Sequence, residues 1–294
     1  MCPVERNRDR DKVPITTHRG AASGSDACND SATPRRVSSE GDRPMSPDAA
    51  GRYDLGVQSF TYREFDVSGM CRALSETGVS AVELCHEHVT PASDPDAIDG
   101  VREQLASAGL DVCGYGVVDF EAGDEDEVRE TLSFVDRLGG DYCSLEFPPG
   151  DESVYETLLS SAAEFGLDLA IHNHGPDATY ATVDDVASVL DATPDARLGA
   201  CVDTGHYLRS GETPADVIAR LGDRVLALHL KDFLDETTET APGNGQLDVP
   251  ELLALLDEET SLSQPLVVEY EADPENPTPA VVEAVETVER ATGR

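Results

Sequence analysis

From residue 53 onward, short apolar runs alternate with longer stretches whose apolar residues recur every three to four positions. The short runs predict strands and the longer ones amphipathic helices. Strands are expected at Asp54–Phe60, Ala81–Cys85, Leu110–Val118, Asp141–Phe147, Leu167–Asn173, Arg197–Val202, Arg224–Lys231 and Pro265–Tyr270. Helices are expected at Phe65–Thr77, Asp94–Ala108, Asp124–Leu138, Asp151–Phe165, Val183–Leu190, Pro214–Leu221, Val249–Leu256 and Pro279–Ala291. Gly78, Gly109, Gly139 and Gly166 follow four of these helices as stop signals. Strict alternation of strand and helix implies a parallel sheet. Eight such units in a single domain over residues 53–292 match the closed (β/α)8 TIM barrel, an α/β fold. A doubly wound open sheet is the alternative, but no G-x-G-x-x-G turn supports a dinucleotide version.

Residues 1–50 break the pattern. They are polar, rich in Arg, Asp, Ser and Pro, and without periodicity, so a disordered tail is expected there, with Met45 an alternative start. Charge marks the same boundary. The chain carries a net −38, yet residues 1–50 balance eight basic against eight acidic side chains, so the whole excess belongs to residues 51–294. Such a surface repels nucleic acid and anionic membranes. With lysine confined to Lys12 and Lys231, the composition is that of a salt-adapted, halophilic protein, and the acidity says little about substrate. No run approaches the roughly 20 apolar residues of a membrane span. The seven cysteines lack C-x-x-C spacing, and Cys85, Cys143 and Cys201 read as small core residues, in keeping with a cytoplasmic location.

The chemistry collects at strand ends. His86, His88, His172, His174, His206 and His229 all fall at or just after a predicted strand terminus, as do Glu146, Asp203 and Glu269. In a (β/α)8 barrel the carboxyl ends of the strands form the active site. Period-two parity puts Ala170, His172 and His174 on one face of the fifth strand, and Gly199, Cys201 and Asp203 on one face of the sixth. It groups Val225, Ala227, His229 and Lys231 in the seventh, and Val267, Glu269 and Glu271 in the eighth. Gln58 and Glu146 are inward by the same rule and Asn173 is outward, while Glu83, in the middle of the second strand, could reach the cavity and would need a partner there. Asp203 also reads as a strand-end cap for the following loop, with Gly205 permitting a tight turn before His206. Imidazoles and carboxylates converging from separate strands suit one catalytic divalent metal with an open position, with Mn, Co, Mg, Zn and Fe all compatible. No thiolate is expected to join. Lys231 is either a working group or an ion-pair partner of Asp232 or Glu269.

The motifs LGVQSFTYREF, AVELCHEH, LAIHNHGP, VDTGHYLRSGETP, LHLKDF, PGNGQLDVPELLALL and VVEYEADPENP follow one another along the chain. Together they resemble the xylose isomerase-like barrels, the sugar phosphate isomerase/epimerase superfamily, over about residues 53–292. The resemblance implies a metal held by His172, Asp203, His229 and Glu269. It also implies an isomerase or epimerase that removes a proton next to a sugar carbonyl, with Glu269 or His172 as base. In the ketose 3-epimerases the strand-five ligand is a carboxylate; His172 in HNH departs from that and resembles the inosose dehydratases, so a dehydratase or lyase is the second expectation. His206 and Lys231 are expected to bind or protonate substrate oxygens, and His86, Glu146, His174 and Arg209 to bind substrate. The expected partner is a small sugar or cyclitol, with no nucleic acid or membrane. A nuclease-type barrel and a non-catalytic sugar-binding barrel are the remaining alternatives.

Overall fold

Side-chain caps fix where the helices begin. Asp66, Asp151, Thr182, Thr213 and Asp248 each accept a backbone N–H from the first turn of the helix they precede. Each such cap contributes about 1 kcal/mol. The helices are α1 (Val67–Leu74), α2 (Pro95–Ser107), α3 (Glu125–Leu138), α4 (Glu152–Phe165), α5 (Val183–Ala192), α6 (Thr204–Arg209), α7 (Pro214–Leu221), α8 (Val249–Glu259) and α9 (Thr278–Thr292). The computed structural model describes residues 53–123 and 125–293. The expected tail and the Met45 start lie outside the described residues. Among the described residues no helix is long and apolar enough to cross a membrane.

The barrel strands are β1 (Leu55–Gln58), β2 (Ala81–Leu84), β3 (Asp111–Asp119), β4 (Tyr142–Glu146), β5 (Asp168–His172), β6 (Leu198–Asp203), β7 (Val225–Leu230) and β10 (Leu266–Val268). They close in the order β1-β10-β7-β6-β5-β4-β3-β2, and every neighbouring pair is parallel. Between β7 and β10, β8 (Asp232–Phe233) and β9 (Glu239–Thr240) pair as an antiparallel ribbon, outside the expected strands and helices.

Two cores result from the alternation along each strand. The outer faces (Val57, Leu84, Leu145, Ile171, Val202, Leu228, Val268) join the helices in one large apolar cluster. The barrel lumen is filled by a smaller set: Ala81, Cys113, Tyr142, Ala170, Cys201, Ala227 and Val267. These side chains are mostly small, so one large ring, Tyr142, spans the interior. Gly114 makes room for it, since a Cβ there would stand 2.6 Å from the ring.

Parity fails at one position. Val225 joins the outer cluster, while Leu226 packs toward the lumen. The cause is a register shift between Ala200 and Cys201, which pairs Ala200 with Val225 but Cys201 with Ala227. A bulge of one residue exchanges the two faces locally. Gly199 accommodates it, because a Cβ would meet Leu226 Cγ at 2.5 Å. Beyond the bulge the expected inward set is restored, and Asp203 pairs with His229.

Candidate metal centre and active-site pocket

The carboxyl ends of β5, β6 and β7 and the residue after β10 bring His172, Asp203, His229 and Glu269 together. Their ligand atoms all lie within 4.8 Å of one another. His229 Nδ1 is 2.9 Å from Glu269 Oε2 and 3.2 Å from His172 Nε2. His172 Nε2 is 3.8 Å from Asp203 Oδ2.

The two oxygens of Asp203 stand in different surroundings. Oδ1 accepts the His206 backbone N–H at 2.8 Å and caps α6, which starts directly after β6. Oδ2 is fully buried and has no hydrogen-bond partner. A buried carboxylate oxygen left bare is costly unless a cation takes it. That oxygen, two imidazole nitrogens and the Glu269 carboxylate form a borderline N/O donor set that fits one divalent metal. The tight turn expected at Gly205 is instead the first turn of α6. Gly205 serves close packing there, since a Cβ would lie 2.8 Å from Lys231 Cγ. A thiol lies close by: Cys201 shares a cluster with His172 and His229. Burial pushes that thiol up to about 12, so it stays protonated.

Glu83 lies beneath this cluster and is fully buried. It accepts from Gln58 Nε2 at 3.0 Å, from the Tyr142 and Ser144 hydroxyls, and faces His229 Nε2 at 2.8 Å. The inward parity of Gln58 and the need of a cavity-reaching Glu83 for a partner were legible; their meeting with Tyr142 and Ser144 was not.

Above the cluster opens a pocket of about 430 Å³, whose walls include Phe60, His86, Glu146, His174, His206 and Glu269. His174 Nδ1 contacts Glu146 Oε1. Burial works against a charged His174, but the Glu146 hydrogen bond and charge outweigh it and raise the imidazole above its ordinary value. His172 moves the other way. Burial, then the neighbouring His174 and His229, hold it well below the ordinary value, and it is 1% exposed. Burial opposes charge on Lys231 too, yet Glu269 and Asp203 raise it. Glu269 is correspondingly held well below the usual carboxylate range: burial resists ionisation, and Lys231 and His229 overcome it. Lys231 pairs with Glu271 and lies 3.6 Å from Glu269. Asp232, the other partner considered, instead accepts five backbone N–H groups, from Phe233, Gly243, Gly245, Gln246 and Leu247.

His206 is pushed down to about 2 by burial and then by the Lys231 charge, so it is a neutral imidazole. Arg209 Nη1 lies 3.3 Å from its Nδ1. A guanidinium only donates, so Nδ1 accepts and Nε2 carries the proton. Arg209 also donates to the Glu236 carbonyl at 3.2 Å and stacks over Phe233, standing behind His206 and not among the pocket walls. His86 lines the pocket beside Glu87 at 3.3 Å, whereas His88 is turned toward Cys85. Asn173 faces away from the lumen, as parity implied, and exchanges two hydrogen bonds with the Asp203 backbone.

The family model described as "Xylose isomerase-like TIM barrel" matches residues 71–291. The chain belongs to this family. It is 30% identical over 179 residues to the rhizopine catabolism protein MocC of Rhizobium meliloti, covering 55% of this chain and 53% of that one. It is 27% identical over 155 residues to an inosose dehydratase of Clostridium perfringens, covering 46% and 52%. These matches therefore span about half the length of the relatives. Among solved structures, the IOLI protein with a bound zinc atom superposes with a TM-score of 0.66 at 18% identity, over 81% of this chain and 98% of that one. At that identity the likeness is one of fold.

Proposed function

We propose that the protein is a metal-assisted enzyme that removes the proton beside the carbonyl of a sugar or cyclitol, with loss of a neighbouring hydroxyl as the favoured outcome. One observation carries the reading. The His174 imidazole on the pocket wall is backed by Glu146 and raised above its ordinary value, while the strand-five ligand position holds His172 in place of a carboxylate. A divalent cation held by His172, Asp203, His229 and Glu269 would supply a fixed positive charge to the substrate's carbonyl oxygen and acidify the adjacent C–H.

The chain's own groups then have distinct tasks. His174 Nε2 takes the proton, and Glu146 stabilises the imidazolium that forms. The electron pair of the broken C–H bond becomes a C=C bond as the hydroxyl on the next carbon leaves. The imidazolium returns its proton to that hydroxyl, which departs as water. His206 Nε2–H donates to a substrate oxygen, and the Lys231 ammonium holds Glu269 ionised. His172 is buried and its proton affinity is depressed, so it serves as a ligand better than as a base. Glu269, held acidic by Lys231, is likewise the weaker base.

Epimerisation or isomerisation would share the first step and return the proton to carbon, with Glu269 on the pocket wall as its carrier. The inosose dehydratase relative favours dehydration. No Lys or Arg is among the residues lining the pocket, which disfavours a phosphodiester substrate. The test is NMR of inosose and ketose panels with metal-loaded protein in D2O. Loss of water from an inosose, abolished in His174→Ala, supports the proposal. Deuterium exchange into a ketose with interconversion of epimers would replace dehydration by epimerisation. No reaction and no exchange in folded, metal-loaded protein would leave a binding barrel.

A further inference from the structure

We propose that Glu83 is a positioning residue that fixes which nitrogen of His229 meets the metal. The proposal rests on the reading of His172, Asp203, His229 and Glu269 as ligands. Glu83 comes from β2, on the opposite side of the lumen from the ligand strands β5 to β7, and none of its surface reaches solvent. A carboxylate buried among Ala81, Cys113 and Tyr142 needs every lone pair occupied.

Its partners come from three other strands. Gln58 Nε2 on β1 donates to Oε1 at 3.0 Å, and the Ser144 hydroxyl on β4 donates to the same oxygen. The Tyr142 hydroxyl, also on β4, donates to Oε2. Gln58 is itself anchored, because its Nε2 also donates to the Gly116 carbonyl at 3.1 Å. Three neutral donors thus hold an acceptor whose remaining direction is filled by His229 Nε2 at 2.8 Å.

Because Glu83 is held as an acceptor by three donors that have no other carboxylate to turn to, His229 Nε2 is placed to donate to it as the fourth. An imidazole that holds a metal is neutral and has one N–H only, so a proton kept on Nε2 leaves the lone pair on Nδ1. Nδ1 is the nitrogen that faces the cluster, 2.9 Å from Glu269 Oε2 and 3.2 Å from His172 Nε2. Glu83 therefore sets both the tautomer and the ring orientation of a ligand while standing outside the cluster of His172, Asp203, His229 and Glu269. Tyr142, which fills the lumen, doubles as a support for Glu83.

The decisive experiment loads 15N-histidine-labelled full-length protein with 113Cd2+ and reads which His229 nitrogen couples to cadmium. His229→Asn assigns the signal. Coupling to Nδ1, with a proton retained on Nε2, is expected. Coupling to Nε2 would overturn the proposal while leaving the metal site standing. Wild-type protein that takes up no cadmium would overturn the ligand reading itself, and the proposal with it. Glu83→Gln supplies a second measurement: its amide cannot accept from all four donors, and cadmium affinity by chelator competition is expected to fall about 10- to 100-fold. An unchanged affinity in a Glu83→Gln protein that melts like wild type would also overturn the proposal. The coupling experiment needs no variant of Glu83, so a Glu83→Gln protein that fails to fold does not remove the test.

Discussion

Asp203 offers a clean separation of fold from site, because its two oxygens have different work. Oδ1 caps α6 through the His206 N–H, and Oδ2 is the buried, partnerless atom aimed into the ligand cluster. Asp203→Asn keeps a carbonyl oxygen for the cap and replaces the other oxygen by an NH2, which has no lone pair to offer. Asp203→Ala removes both. Loss of the cap costs about 1 kcal/mol, and for a domain of this size each kcal/mol moves the melting temperature by about 2–4 °C.

The charge acts in the opposite direction in metal-free protein. Burial, ahead of the opposing Lys231 charge, raises Asp203 from 3.8 to about 7. A raised carboxylate destabilises the fold when ionised, so its burden appears as pH climbs above 3.8 and is complete above about 7. At pH 8 with chelator, Asp203→Asn is therefore expected to melt no lower than wild type, and Asp203→Ala, which relieves the same charge, to melt below Asp203→Asn by the cap's contribution. Metal reverses the order. At a hundredfold excess over its dissociation constant, a ligand that binds only the folded state adds about 2.7 kcal/mol. Wild type should then melt higher by several degrees, and neither variant should respond. Calorimetry with chelator and with a divalent metal reads all of these arms. A metal-induced shift in Asp203→Asn equal to that of wild type would refute the assignment of Oδ2.

Other outcomes follow from the same geometry. Glu146→Gln should lower turnover and move the rising limb of the pH–rate profile to lower pH. The base works deprotonated, and Glu146 is what raises His174 above its ordinary value; an unmoved limb would contradict the pair. Gly205→Ala should destabilise by about 1–3 kcal/mol in chemical denaturation, because the new Cβ meets Lys231 Cβ and Cγ and Phe233 Cε2 at 2.8 to 2.9 Å. A neutral result would show that Lys231 moves freely. Asp232→Ala strips five backbone donors of one carboxylate. A loss of about 3 kcal/mol or more is expected, with early proteolysis between residues 233 and 248; a loss under 1 kcal/mol would mean that water replaces the carboxylate at no cost.

Much of the barrel was legible because its strands obey period two and its helices carry explicit stops. Gly166, for example, ends α4 in the left-handed conformation with φ 75°. Parity alone brings His172, Asp203, His229 and Glu269 to the inward face. It broke at Val225 and Leu226, since a one-residue register shift leaves no mark in composition. The helix α6 escaped because its six residues are too few to show a period, and the β8–β9 ribbon because two-residue strands show none. Arg209 drew attention as a charge near the site, but its placement behind His206 depends on the ribbon, through Glu236 and Phe233. The Tyr142–Glu83–His229 connection crosses the lumen between β4, β2 and β7, and pattern along one strand carries no information about what it meets across a barrel.

The central claim is that His172, Asp203, His229 and Glu269 hold one divalent metal. Metal analysis of the purified protein, beside the Asp203→Asn/His229→Ala double variant, tests it most directly. The account predicts one equivalent of divalent metal per wild-type chain and none in a folded double variant. Wild-type protein that is folded and binds no divalent metal, or a double variant that retains a full equivalent, would contradict it.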